Sequence, residues 1–221
     1  MAAQPSLFES TDNLLTDDER GRIVYTARFV DAATARVWFA ELRNGVEWRS
    51  ERRMMYEREV DVPRLMASFR LDQPDATRLA AISDAAARVT ERLAVPFNSV
   101  GLNLYRDGRD SVAPHNDHLN EIAEGFPIAL VSLGTTRRMT IRAKEPPKRV
   151  LHVDLEPGSL FVMDYATQLH YTHGVPKTAE PVGERISLAF RVRQMRESGF
   201  WGVRPGSDPS NALSGPPTPR R

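Results

Sequence analysis

Between Asp75 and Ala94, apolar residues recur at alternating steps of three and four (Leu79, Ile82, Ala86, Val89, Leu93), one stripe of a long amphipathic helix that Pro96 closes. Upstream, Ile23, Val24, Tyr25 and Phe29 mark a first strand within Gly21–Phe29. Asp31 can cap a helix over roughly 32–44 that Asn44-Gly45 would stop, with Val37, Phe39, Ala40 and Leu42 on its buried side. Beyond the long helix the period drops to two. Val100, Leu102 and Leu104 share one strand face, Gly101, Asn103 and Tyr105 the other. Short strands follow at Pro127–Leu133, Arg138–Ala143, Arg149–Leu155 and Ser159–Asp164, with turn signals at Asp107-Gly108 and Pro157-Gly158. The last, Arg185 to Arg193, sets Ile186, Leu188 and Phe190 against Arg185, Ser187, Ala189 and Arg191. About seven or eight short strands behind two helices predict an α+β chain: a double-sheet β core buttressed by N-terminal helices.

Three stretches lack a clear period. Residues 1–20 are polar and acidic and predict an N-terminal arm; residues 21–195 form one domain; from 196 to 221 Pro, Gly and Arg dominate, which predicts a disordered or surface-pinned tail. Val46 to Leu71 is rich in Arg and Met, and Pro63 forbids a helix interior there. Two readings stand for it: a solvated hairpin, or a basic surface for phosphates carried by Arg49, Arg52, Arg53, Arg58, Arg64 and Arg70.

Composition narrows the chemistry. With 41% hydrophobic and 27% charged residues in 221, the chain reads as an ordinary globular protein. No run of apolar residues is long enough to span a membrane, and the early acids Glu9, Asp12, Asp17, Asp18 and Glu19 do not fit a signal peptide. Cysteine is absent, so a metal would have to be held by His and carboxylate, and a cytoplasmic protein is expected. A net charge of +1 means that nucleic-acid binding would need a local basic patch.

Pro114-His115-Asn116-Asp117 is where such a metal is expected. His and Asp two apart share one side of an extended chain, and a further His from a distant strand, His173, completes a two-His, one-carboxylate face. Asn103 and Tyr105, His115 and Asp117, and Arg185 and Arg191 bring polar groups to one face of three separate strands. An arginine inside a barrel is costly unless paired; if no acid of the chain pairs it, a dianionic ligand is expected, its carboxylate gripped by Arg185 through two parallel hydrogen bonds, the alternative being that these strand faces meet solvent.

Taken in order, Asn103-Leu104-Tyr105-Arg106-Asp107-Gly108, His115-x-Asp117, Gln168 through Lys177 with its His173-Gly174-Val175-Pro176-Lys177, and Arg185 through Arg191 resemble the motifs of AlkB-type Fe(II)/2-oxoglutarate dioxygenases. Asn13-Leu14-Leu15 and Pro63-Arg64-Leu65 extend the likeness over roughly residues 13–193. The resemblance implies a double-stranded β-helix (jelly roll), Fe(II) on His115, Asp117 and His173, and 2-oxoglutarate and O2 as co-substrates. It implies that Asn103, Tyr105 and Arg185 hold the distal carboxylate, with Arg191 near the metal-binding end. It favours His173 over His170 as distal ligand; His118, next to Asp117 on a strand, is expected to point the other way, and His152, inside a strand with no partner motif, to be structural. The expected activity is oxidative demethylation of N-alkylated bases by a monomer acting on single-stranded DNA or RNA, with no membrane partner. The rival expectations are the same chemistry on a protein side chain or small metabolite, and a non-catalytic binding module. Arg64, Phe69 and Leu119 are the candidate substrate contacts. Where repair members carry acids just after the His-x-Asp pair, this chain has His118 and Leu119; Ser187 and Ala189 replace the usual Asn and Thr, and the segment after Leu65 is shortened.

Overall fold

The computed structural model describes residues 12–55, 58–75 and 77–194, the side chains of 53–55 and 58–61 excepted. The larger of two antiparallel sheets is built from β1 (Asp12–Asp18), β2 (Gly21–Thr26), β3 (Arg49–Met55), β4 (Arg58–Arg70), β5 (Ser99–Tyr105), β7 (Ile128–Gly134), β10 (Leu160–Met163) and β12 (Arg185–Arg191). Its order is β1-β2-β10-β7-β12-β5-β4-β3. The smaller sheet runs β6 (Val112–His115), β11 (Tyr171–Val175), β8 (Arg137–Ala143), β9 (Val150–Leu155). Helices α1 (Ala32–Gly45) and α2 (Ala80–Leu93) precede β5, and the short α3 (Tyr165–His170) leads straight into β11. No helix among the described residues is long and apolar enough to cross a membrane.

The larger sheet is buried on both faces. Its outer face, with Val100, Leu102, Leu104, Val131, Leu133, Ile186, Leu188 and Phe190, packs under Trp38, Leu42, Ile82, Ala85 and Val89 of the two helices. Its inner face, with Ile23, Tyr105, Phe161 and Met163, meets Met139, Ile141, Val153, Leu155, Tyr171 and Val175 of the smaller sheet. This is the jelly-roll sandwich with its helical buttress. The helices brace one another: Trp38 Nε1 donates to Asp84 at 3.2 Å, and Glu41 accepts from the Ala81 amide at 3.1 Å. That second bond satisfies an orphan donor at the start of α2, whose own N-cap residue, Leu79, offers no side-chain acceptor.

Several sequence-based expectations change. The arm expected over 1–20 is a strand in its second half: Asp12–Asp18 pairs with β2 at the sheet edge, its acids facing solvent, while residues 1–11 lie outside the described residues. The tail from 196 onward lies outside them too. Asp31 does cap α1, accepting from the Ala33 and Thr34 amides at 2.8 Å, but the helix buries Ala35, Trp38 and Leu42, and Val37 and Ala40 are exposed. The stripe starts from the indole because Trp38 offers the most area to bury. Helix α2 begins at Ala80 rather than Asp75, since the Asp75 carboxylate takes the Thr77 amide and hydroxyl in a local turn. The Arg/Met-rich stretch is the β3–β4 hairpin, and Pro63 sits where its register shifts, a place that needs no ladder donor.

Candidate metal and carboxylate site

Strands β6 and β11 pair antiparallel with His115 opposite His173, which sets the two rings 4.5 Å apart between centroids. Gly174 makes this approach feasible: a Cβ there would lie 2.8 Å from the Val112 carbonyl oxygen and 3.0 Å from the Pro114 nitrogen. Gly174→Ala is therefore expected to push β6 from β11, costing on the order of 1–3 kcal/mol and weakening metal binding; a melting curve with a Co(II) titration checks both.

Strand β6 ends at His115, so Asp117 does not reach the site by strand alternation. The Asp117 amide instead donates to the buried Gln168 Oε1 at 3.0 Å, and Arg191 Nε donates to its Oδ2 at 2.5 Å. Gln168 thus ties the His115–Asp117 segment to the helix that delivers His173. His115 Nδ1 lies 2.9 Å from the Ala113 carbonyl, which only accepts, so Nδ1 carries the proton and Nε2 presents its lone pair. One ligand atom from each of His115, Asp117 and His173 lies within 4.8 Å of the others.

Burial pushes the His173 pKa down to about 3 and lowers that of His115, so both rings are neutral at neutral pH. Burial alone would raise the pKa of Asp117; the adjacent Arg191 charge and hydrogen bond outweigh it and hold the carboxyl below the usual range. Two neutral imidazoles and a carboxylate on one side, with 42% of the His115 side chain exposed on the other, fit a divalent iron that keeps coordination positions open.

The β5–β12 register sets Tyr105 opposite Arg185 and Asn103 opposite Ser187. Arg185 is wholly buried, donates from Nη2 to Ser132 Oγ at 2.8 Å, and leaves Nε and Nη1 without a hydrogen-bond partner. Its guanidinium lies 5.0 Å from the Tyr105 ring centroid. Unmet buried N–H groups are rare, and two on one guanidinium match a carboxylate. Asn103 Oδ1 accepts from Arg64 Nε at 2.7 Å, which leaves its amide NH2 as the group open to a ligand.

The other candidates separate cleanly. Arg64 belongs to this cluster through Asn103, and Leu119 sits half-buried in the turn just past Asp117. Phe69 does not reach the site: it pairs with Val100 and packs into the core beneath the helices, on the opposite face of β4. His170 ends α3 outside the His115–Asp117–His173 group, His118 is exposed, and His152 stands exposed on β9 beside Thr140 Oγ1 at 3.3 Å. Arg49 and Arg70 pair with Glu47 and Asp72, Arg52 is exposed, and the Arg53 and Arg58 side chains lie outside the described residues. Sequence reasoning misses the buried Arg137 altogether, and places Gln168 only at the start of the Gln168–Lys177 motif without its role as acceptor for the Asp117 amide, since nothing local shows what either one holds.

The sequence model of the 2OG-Fe(II) oxygenase superfamily matches residues 22–191. A human protein named DNA oxidative demethylase ALKBH2 is 37% identical over 102 residues, 43% of this chain and 39% of that protein. A mouse protein named alpha-ketoglutarate-dependent dioxygenase alkB homolog 3 is 29% identical over 188 residues, 77% of this chain and 66% of that protein. The chain thus spans less than half of the first and about two thirds of the second. Among solved structures, OsALKBH1 superposes with a TM-score of 0.55 at 15% identity, covering 81% of this chain and 100% of that one. A Pseudomonas putida prolyl-4-hydroxylase gives 0.53 at 18%, covering 78% and 93%. At these identities the structures speak for the fold alone.

Proposed function

The chain belongs to the 2OG-Fe(II) oxygenase superfamily, with AlkB-like relatives, and from that premise we propose that it oxidatively demethylates N-alkylated bases in single-stranded nucleic acid. The observation that carries the chemistry is the His115–Asp117–His173 group together with a buried arginine, two of whose nitrogens lack partners, on the same strand as the Arg191 that bonds Asp117. The demethylase names of the relatives support the substrate class.

His115, Asp117 and His173 would hold Fe(II), and Arg185 with Tyr105 and the Asn103 amide would grip the distal carboxylate of 2-oxoglutarate. When bound, the metal with 2-oxoglutarate and O2 supplies the oxidation of an unactivated N-alkyl carbon. The chain's own residues position and exclude. Arg191 keeps the Asp117 carboxylate ionised and aimed, and the Ala113 carbonyl fixes the His115 tautomer. Ile141, opposite His173 in register, joins Tyr171 and Val175 in the buried apolar cluster between the sheets, which keeps water from that side of the ligands. The hydroxylated N-alkyl carbon then leaves as an aldehyde, restoring the base N–H. A base in a duplex would have to be flipped out, so single strands are the easier substrate.

The test is a mass-resolved product assay on methylated oligonucleotides beside methylated peptides, with succinate followed in both. Repair of the oligonucleotides with salt-sensitive binding is expected. Turnover confined to peptides or small acids moves the same chemistry to another substrate, and no succinate with any of them leaves a binding module. The half-buried Leu119 carries a further prediction. An apolar wall reads hydrogen-bonding groups poorly, so discrimination among lesions is expected to be weak, and Leu119→Glu is expected to raise repair of the cationic 1-methylated adenine. A wild-type protein already selective for that lesion, losing it in Leu119→Glu, would overturn this.

A further inference from the structure

Arg137 is a second buried arginine beside Tyr105, 2% exposed, at the start of β8. Its hydrogen bonds all end on carbonyl oxygens: Nη1 donates to Asp107 at 2.9 Å, and Nη2 to Asp110 at 2.9 Å and Pro176 at 2.7 Å. The acids nearest to it are already engaged, Asp110 by Arg106 at 2.8 Å and Asp107 by Arg109 at 2.6 Å. Its guanidinium carbon lies 5.7 Å from the centroid of the Tyr105 ring, the ring that Arg185 also overlies at 5.0 Å. Two buried cations therefore share one aromatic ring, neither with a carboxylate of its own. For stability alone this is a poor choice, since an apolar side chain of similar volume would avoid the desolvation cost.

We propose that Arg137 is a positioning residue for the co-substrate: a second, non-contacting cation that selects dicarboxylic over monocarboxylic 2-oxo acids by its field across Tyr105. The inference rests on the placement of 2-oxoglutarate against Arg185 given above. Arg185 makes the hydrogen bonds. Arg137 keeps the pocket cationic after Arg185 is matched and holds Tyr105 against it, while its three carbonyl bonds pin the loop before β6 and the end of β11.

The test measures binding of 2-oxoglutarate and of 2-oxobutyrate, which lacks the distal carboxylate, to the Mn(II)-loaded full chain, with melting curves for each variant. Arg137→Gln is expected to weaken 2-oxoglutarate about tenfold and leave 2-oxobutyrate within about twofold, the scale of one charge felt through partly desolvated protein. Arg137→Lys, which keeps the charge and loses carbonyl bonds, is expected to melt lower yet retain the preference for the diacid. Equal weakening of both acids in Arg137→Gln, or loss of the preference in Arg137→Lys, overturns the proposal and leaves Arg137 a structural brace. If Arg137→Gln does not fold, Arg137→Lys alone decides by the same ratio. Arg185→Ala separates the two levels: if it too binds 2-oxoglutarate as the wild type does, the placement of the co-substrate itself has failed.

Discussion

Asp117→Ala and His173→Ala are each expected to abolish turnover and to lower Fe(II) or Co(II) affinity by more than the roughly 10–100-fold that loss of an outer hydrogen-bonding group costs. Each removes one of three ligand atoms that lie within 4.8 Å of one another, and Asp117→Ala also strands the Arg191 guanidinium without its carboxylate. His170→Ala and His152→Ala are expected to keep metal and most activity, as their rings sit outside that group. Metal titration of all four, read by Co(II) absorption, is the check. A His170→Ala protein that loses metal while His173→Ala keeps it would reassign the distal ligand.

Arg185→Ala is expected to weaken 2-oxoglutarate binding by roughly 2–5 kcal/mol, the scale for a charge-assisted pair in a desolvated pocket. Lysine should recover only part of that, because a point charge cannot make two parallel bonds to one carboxylate. An apolar variant of similar volume should behave oppositely in the absence of ligand. A wholly buried guanidinium with two unmet nitrogens costs stability, so Arg185→Met without co-substrate should melt at or above the wild type. Calorimetry with and without 2-oxoglutarate separates the two effects, and unchanged cofactor affinity in Arg185→Ala would remove the carboxylate from this end of the cavity.

The alternation in 99–105 and 185–191 was readable because both faces of the larger sheet are buried. Leu102 and Leu188 had to face the helices, which sent Asn103, Tyr105 and Arg185 into the cavity. The same parity argument, carried one strand further, exposes the error at Phe69: Arg64 and Phe69 are five apart on one strand and so point to opposite faces. β1 went unseen because an edge strand with acids outward has the composition of a loop. α3 and the role of Gln168, which the motif names without explaining, are illegible for another reason. The amide that Gln168 satisfies exists only because β6 stops two residues short of Asp117, an event of tertiary pairing with no local signal.

β12 lies in the middle of the larger sheet, between β7 and β5, and is the last of the described strands in the chain. During synthesis the sheet must therefore wait with a gap at its centre. β5 and β7 emerge early with their hydrogen-bonding edges unfilled, and only the arrival of residues 185–191 joins the two halves. Contacts of such long sequence separation form slowly and leave unpaired edges exposed meanwhile. The same strand carries Arg185 and Arg191, so the nascent chain has no grip on either the co-substrate or the Asp117 carboxylate until the sheet closes. Loading of the co-substrate therefore cannot precede completion of the fold, and chains terminated anywhere before residue 185 are expected to be aggregation-prone rather than weakened enzyme.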